Sequence, residues 1–256
     1  MAAKAVRVIG PGRAGLSVAR GLEKAGWRVA DVVGRDAGPA LAAAAAGVDL
    51  VIIATPDDAI AGVASAIEAV EGCVVAHLAG ALGLDVLAPH RRRASIHPLR
   101  SLATTSADLD GAWFAVAGDP LARDVVADFG GHLVNVDDGA RAAYHAAAVM
   151  ASNHLVALLG AVERVAARAG VPLDAFVDLA RGAVDNVAAL GPTAALTGPV
   201  ARGDLDTVAR HLAAIPPAER STYEALSAAA LVLAKAAGAA DASDVPPALV
   251  VEVAPA

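Results

Sequence analysis

Residues 5–9 form a short, β-branched and nearly continuous apolar run that stops at a glycine, as a strand covered on both faces of a parallel sheet does. Past the glycines, Ala14, Val18, Leu22 and Ala25 recur at helical spacing. Arg13, Ser17, Arg20 and Lys24 take other faces, and Gly26 stands where a helix C-terminal cap is expected. Residues 27–33 predict a second strand, the alanine run at 40–46 a short helix, and residues 50–54 a buried third strand. Asp57 or Asp58 can cap a helix whose apolar face is Ile60, Val63, Ala64, Ile67 and Val70, and residues 73–77 return to strand. Weaker strands are predicted at 94–96, 113–116 and 132–136, with a helix near 121–129.

After Asp137 the pattern turns helical, over 139–169, 174–190, 204–215 and 218–237, followed by a proline-containing tail expected to be mobile. Strands first and helices afterwards predict an α/β domain over residues 1–137 and an all-α domain over 138–256. Residues 142–162 carry no formal charge. They do include Tyr144, His145, Ser152, Asn153, His154 and Gly160, and most of their apolar residues are alanine. We therefore expect a helix buried between domains or subunits rather than a membrane span.

Composition narrows the classes. With 256 residues and 57% hydrophobic content the chain has material for a sizeable core. Its net charge of -7 argues against nucleic acid or an anionic membrane as partner. The single cysteine, Cys73, lies in an apolar strand and reads as a buried thiol. The first apolar run breaks into glycine too early for a secretory segment, so a cytoplasmic address is expected by elimination. Seven histidines without cysteine pairs or a His-Glu-x-x-His helix give no metal constellation. Arg91-Arg92-Arg93 reads as a solvated charge cluster, with an acidic-substrate rim as the alternative.

The sharpest motif is Gly10-Pro11-Gly12-Arg13-Ala14-Gly15, which matches G-x-G-x-x-G between a strand and a helix. The first glycine permits the turn, the second lets backbone approach a pyrophosphate, and the third lets helix pack on strand, while the helix N-terminus faces the phosphates. This makes the first domain a Rossmann dinucleotide-binding domain. The second strand ends Val33-Gly34-Arg35 rather than in a carboxylate, so Arg35 can pair with the 2′-phosphate of NADP. NAD stays possible, because Asp31 lies at a spacing that can serve a ribose and Asp36 can neutralise Arg35. Arg13 is either a further phosphate contact or an exposed first-turn arginine.

With these stretches, Ile53-Ala54-Thr55-Pro56-Asp57-Asp58-Ala59-Ile60, Ser95-Ile96-His97-Pro98-Leu99, Tyr144-His145-Ala146-Ala147-Ala148, Ala151-Ser152-Asn153 and Leu196-Thr197-Gly198-Pro199 with Arg202-Gly203-Asp204, the chain resembles a known group. These are the Rossmann-like oxidoreductases with a C-terminal helical domain of unknown function, in the phosphogluconate dehydrogenase-like and pyrroline-5-carboxylate reductase-like superfamily. The resemblance implies cofactor binding and a helical dimerisation domain, hence a homodimer, and no agreed substrate. It also implies that Thr55 and Pro56 lie along the cofactor, and that the loop from His77 to Gly80 lies near the nicotinamide. The Lys-x-x-x-Asn pair of hydroxyacid dehydrogenases is missing, since Val149 stands four residues before Asn153.

Ligands of open α/β sheets sit beyond the carboxyl ends of the strands. His97, held extended by Pro98, is a candidate general acid there, or a histidine bonded within a turn. His145, Ser152 and Asn153 are spaced close to two helical turns, with Tyr144 beside Ser152. They form either a substrate-binding face or a structural network. Arg202 can bind a substrate carboxylate or belong to a glycine-proline turn whose Asp204 caps the next helix. The expectation is an NADP-dependent oxidoreductase acting on a small carbonyl or imine, with His97 or His145 as proton donor and Asn153 orienting the substrate. The alternatives are a noncatalytic NADP(H)-binding sensor or regulatory protein and, more narrowly, a deazaflavin-linked reductase.

Overall fold

The computed structural model describes residues 3–35 and 37–238, so Asp36 and the proline-containing tail lie outside the described residues. The chain divides into two compact units between Ser152 and Asn153. In the first unit β1 (Ala5–Ile9), α1 (Arg13–Lys24), β2 (Arg28–Val33), α2 (Pro39–Ala42), β3 (Leu50–Ile53), α3 (Asp57–Ala66) and β4 (Val74–His77) alternate. They are followed by β5 (Arg93–Pro98), β6 (Trp113–Gly118), α4 (Leu121–Asp128), β7 (His132–Asn135) and α5 (Arg141–Val149).

All seven strands join one sheet in the order β2-β1-β3-β4-β5-β6-β7. β1 to β5 are mutually parallel, β6 runs antiparallel to β5, and β7 is parallel to β6. The continuous apolar runs of β3 and β4 are buried at every position, as central parallel strands must be. One face packs Val8, Ile52 and Phe114 with Val18 and Leu22 of α1 and Val125 of α4. The other packs Ile9, Ile53 and Val75 with Leu41 of α2 and Ile60 and Val63 of α3. Strand order reverses between β1 and β3, which places the ligand crevice of an open sheet where the glycine loop emerges.

Local signals were followed with two exceptions. Gly26 ends α1 at φ +91°, its N–H on the Glu23 carbonyl at 3.0 Å. α3 is not capped by Asp57 or Asp58: Pro56 occupies the N-cap, and the two carboxylates are exposed in the first turn. There they favour the helix only through its dipole. α3 also stops at Ala66, leaving Val70 outside it and 41% exposed.

The second unit contains α6 (Leu155–Ala166), α7 (Leu173–Leu190), α8 (Pro192–Ala195), α9 (Leu205–Ala214) and α10 (Pro217–Ala236). The helix expected over 139–169 is segmented. A 3₁₀ turn at Asp138–Ala140 leads into α5, a π turn occupies Met150–His154, and α6 ends in a second 3₁₀ turn before left-handed Gly170. Arg164 of α6 clamps Glu219 of α10 through Nε–Oε1 at 2.5 Å and Nη2–Oε2 at 3.0 Å. Asp204 caps α9 as its position suggested, accepting the Thr207 N–H at 3.0 Å. A cavity of about 620 Å³ lies within this unit, lined by Val162, Val165, Phe176, Tyr223 and Leu226 among others. α7 buries none of its 18 residues. The segment Asp138–Ala169 is long and apolar enough to cross a bilayer by length and composition, and only 6% of its most apolar window is buried. The described residues therefore leave most of this segment uncovered.

Candidate functional site

The glycine loop is built from close approaches that only glycine permits. Gly10 sits at φ +110°, where a Cβ would stand 2.6 Å from the Ala54 carbonyl oxygen, and a Cβ on Gly15 would stand 2.0 Å from the carbonyl of Gly10. These contacts press the turn onto the end of β3 and the start of α1 onto the turn. Gly12 differs: nothing lies within 4 Å of its Cβ position, and it is the N-cap of α1 with no side-chain cap. Its surroundings are an open cradle at a helix N-terminus, the shape and polarity a pyrophosphate needs. Across the crevice, Thr55 Oγ1 is buried without a hydrogen-bond partner, a group awaiting a polar ligand. Pro56 is exposed next to it. The residues present thus fit a dinucleotide.

At the outer edge, the Gly10 N–H holds the Val33 carbonyl at 2.8 Å, which brings Gly34 and Arg35 beside the loop. Arg35 is exposed, as is Arg13 at the first position of α1. Asp31 is bound instead by Arg7, whose guanidinium also reaches the Ala44 carbonyl at 2.5 Å. That pair lies within the strands, two residues short of the end of β2. Of the three-arginine run, Arg92 holds Asp119 through Nε at 2.8 Å and Nη2 at 3.0 Å, which gives it a structural role.

The second half of the site lies at the carboxyl ends of β4 and β5. His77 is wholly buried, receives the Ala79 N–H on Nδ1 at 3.2 Å and donates from Nε2 to the Gly83 carbonyl at 3.2 Å. Burial first, then the Gly83 bond acting the other way, sets its balance, with the net effect of lowering its pKa. It is a neutral brace that shapes the loop through Gly80.

His97 lies in β5, which extends further than expected, through Pro98. Its Nδ1 is 2.5 Å from the Tyr144 hydroxyl, and its ring meets those of Tyr144 and His145 edge-on at 5.6 and 5.8 Å. Gly80 admits this cluster: a Cβ there would stand 2.5 Å from His145 Nδ1 and 3.0 Å from His97 Nε2. His145 Nδ1 is buried without a partner. Burial, then the neighbouring His145, Arg141 and His77, hold His97 down to about 4, and burial pushes Tyr144 up to about 12. At neutral pH both are uncharged.

The structure thus brings His97, Tyr144 and His145 together. Ser152 donates to the Ala148 carbonyl at 2.8 Å within the π turn, and Asn153 in the same turn is exposed. That turn breaks the two-turn spacing from His145, because each π step adds a residue to the repeat. Arg202 is exposed in the turn where the Asp204 N–H reaches the Pro199 carbonyl at 2.9 Å. Sequence reasoning missed Arg141 and the tight packing at Gly80. Arg141 is 1% exposed, and its charge is felt at His77, His97 and Tyr144. The available signal was its place three and four residues before Tyr144 and His145, on one helix face. Among the described residues no group of His, Cys, Asp and Glu is placed to hold a metal.

Comparison with known proteins agrees with this layout. Residues 35–100 match the model of a Rossmann-like domain, and residues 114–230 match that of a domain of unknown function, DUF2520. No curated protein matches the chain. Among solved structures, a provisionally assigned NADP oxidoreductase from Bacteroides fragilis is 22% identical with TM-score 0.75, covering 90% of this chain and 98% of its own. A 1-pyrroline-5-carboxylate reductase from Streptococcus pyogenes is 15% identical with TM-score 0.60, covering 91% and 99%. A reductive aminase from Aspergillus terreus, in complex with NADPH and ethyl-5-oxohexanoate, is 16% identical with TM-score 0.57, covering 93% and 89%. At such identities the likeness is one of fold. In order along the sequence, a match to the Rossmann-like domain model is followed by a match to the DUF2520 model.

Proposed function

We propose that this protein is an NADP-dependent oxidoreductase that reduces a small carbonyl or imine compound. The observation that carries the reading is the cluster of His97, Tyr144 and His145 over Gly80, at the carboxyl ends of strands whose sheet also presents the open cradle at Gly12. The bound cofactor supplies the hydride. The chain's own part is to hold the dinucleotide, orient the substrate and deliver a proton to its heteroatom. Gly10, Gly12, Ala14 and Gly15 form the phosphate turn, with Arg13 at its rim, and Thr55 and Pro56 line the crevice. Arg35 beside the loop, with Asp31 consumed by Arg7, favours a 2′-phosphate over a free ribose hydroxyl.

Tyr144 donating to Nδ1 of His97 leaves the proton of the neutral ring on Nε2, the edge above Gly80. Since His97 is uncharged at neutral pH, it donates a hydrogen bond there. As negative charge grows on the substrate heteroatom, the Nε2 proton passes to it while Nδ1 takes the hydroxyl proton of Tyr144. Ser152, Asn153 and Arg202 carry no part of this reading.

The test is NADPH oxidation, followed by absorbance, against a panel of small aldehydes, 2-oxo compounds and cyclic imines. His97→Gln is expected to bind NADPH as wild type does and to oxidise it about a hundredfold or more slowly. Tight NADP(H) binding with no turnover of any compound would favour the noncatalytic sensor instead.

We also infer a homodimer through the helical unit. α7 exposes Leu179 (68%), Val184, Val187 and Leu190, apolar side chains that a second copy would cover.

A further inference from the structure

By volume Arg141 heads the fully buried side chains among the described residues. Its Nε donates to Asp138 Oδ1 at 2.9 Å, while Nη1 and Nη2, also shut from solvent, have no partner. Asp138 is a shared and incomplete counterion: its other oxygen accepts the Leu84 N–H at 3.2 Å, and its side chain is 49% exposed. A guanidinium out of water with two of its three nitrogens unpaired is an expensive arrangement, and an anion is what would offset it. The neighbours supply none, since His77, His97 and Tyr144 are all uncharged at neutral pH. Arg141 also shares a face of α5 with Tyr144 and His145, the groups that gather at His97.

Resting on the reductase reading of this site, we propose that the unpaired edge of Arg141 receives the substrate's carboxylate, which makes the substrate class a small 2-oxo or 2-imino acid. Two parallel N–H groups in a fixed plane match the two oxygens of a carboxylate. With the carboxylate held there, the adjoining C2 carbonyl or imine is directed to His97. C2 takes up a hydride at the expense of NADPH, giving NADP⁺, and the C2–heteroatom π pair moves onto the heteroatom. The heteroatom takes the proton from His97 Nε2 as Nδ1 takes the hydroxyl proton of Tyr144, so the ring stays neutral, and solvent restores the proton to Tyr144. Arg141 keeps its charge throughout, the carboxylate is unchanged, and the product is a 2-hydroxy or 2-amino acid.

The test titrates the full chain, loaded with NADP⁺, with pyruvate, glyoxylate and oxalate by calorimetry, using methyl pyruvate as the uncharged control. At least one of the acids should bind in the millimolar range or tighter, and the ester should not. Arg141→Gln should weaken the acid about ten- to a hundredfold while NADP⁺ affinity stays at the wild-type value. Arg141→Lys keeps the charge without the fork and should recover part of the loss. If the glutamine variant does not fold, the lysine variant carries the comparison. Wild-type affinity in the arginine variants, or no acid binding at millimolar concentration, overturns the proposal. Arg141-dependent acid binding without NADPH oxidation would sink the reductase reading and leave the anion site standing. NADPH oxidation by uncharged carbonyls, indifferent to Arg141, would do the opposite.

Discussion

β3 and β4 contribute four residues each to the centre of the sheet and every one is buried, whereas α7 contributes 18 residues to the helical unit and buries none. Both are rich in aliphatic side chains. The first unit satisfies its apolar residues within the chain, through short crossovers that lay α1 and α4 on one face and α2 and α3 on the other. The second leaves Leu179, Val184, Val187 and Leu190 bare. Apolar content alone therefore does not say where a segment finds cover: the sheet finds it in its own sequence, and α7 does not find it among the described residues.

The contrast can be broken hardest in the self-contained unit. Gly15→Val puts methyl groups into the carbonyl of Gly10, a backbone atom with nowhere to move. It should cost about 3 kcal/mol or more, read as a collapse of the thermal melt. Gly12→Ala, with open space around it, should leave the melt nearly unchanged and weaken only NADPH binding.

The helical unit should fail differently. Leu179→Asp combined with Val187→Asp is expected to shift the sedimenting species from dimer to monomer and to make the melting temperature of wild type, but not of the variant, depend on concentration. A wild-type monomer at micromolar concentration would remove the homodimer.

A smaller effect belongs to the cofactor edge. Arg35→Ala should weaken NADPH by about 1.5 to 3 kcal/mol in a calorimetric titration and hardly alter NADH. Equal losses for both would take Arg35 out of the phosphate site.

A further effect is in pH. His97 binds its proton at about 4 in the folded chain against 6.5 ordinarily, so between those values the unfolded chain holds more protons. Stability should then fall as pH drops from about 6.5 to about 4 and level off below. The sheet's interior should show this through His97 and His77, and His97→Gln should flatten part of the slope in pH-dependent melts.

How far the residues themselves announced this arrangement depends on the kind of information needed. Uninterrupted β-branched runs marked the buried strands, because a strand covered on both faces has no polar side to show. The glycine hexapeptide marked the phosphate turn, because no other residue fits at Gly10 and Gly15. Gly26 and Asp204 marked helix ends through local backbone chemistry. What was hidden depends on partners distant in sequence. The reversal of β6 against β5 leaves no trace in side-chain period. The π turn at Met150–His154 has the composition of ordinary helix. Arg141 stands in no motif, and only the assembled fold shows it enclosed with its outer nitrogens unpaired. His97 was legible as a candidate, but its uncharged state was not, since that comes from burial and from His145, Arg141 and His77 beside it.

The reversal of β6 also governs how the chain tolerates changes in length. Because β6 and β7 run against β5, the chain leaves β7 near the amino-terminal end of β5, where Asp138 ties to Leu84. α5 must then travel back toward His97, and its angular setting is fixed by the few residues between Val136 and Arg141. One residue inserted there would rotate the helix by about 100°, carrying Arg141, Tyr144 and His145 off the strand ends together. The linker after β7 therefore works as a ruler, and natural or engineered insertions, which surface loops ordinarily absorb, should be refused at this one.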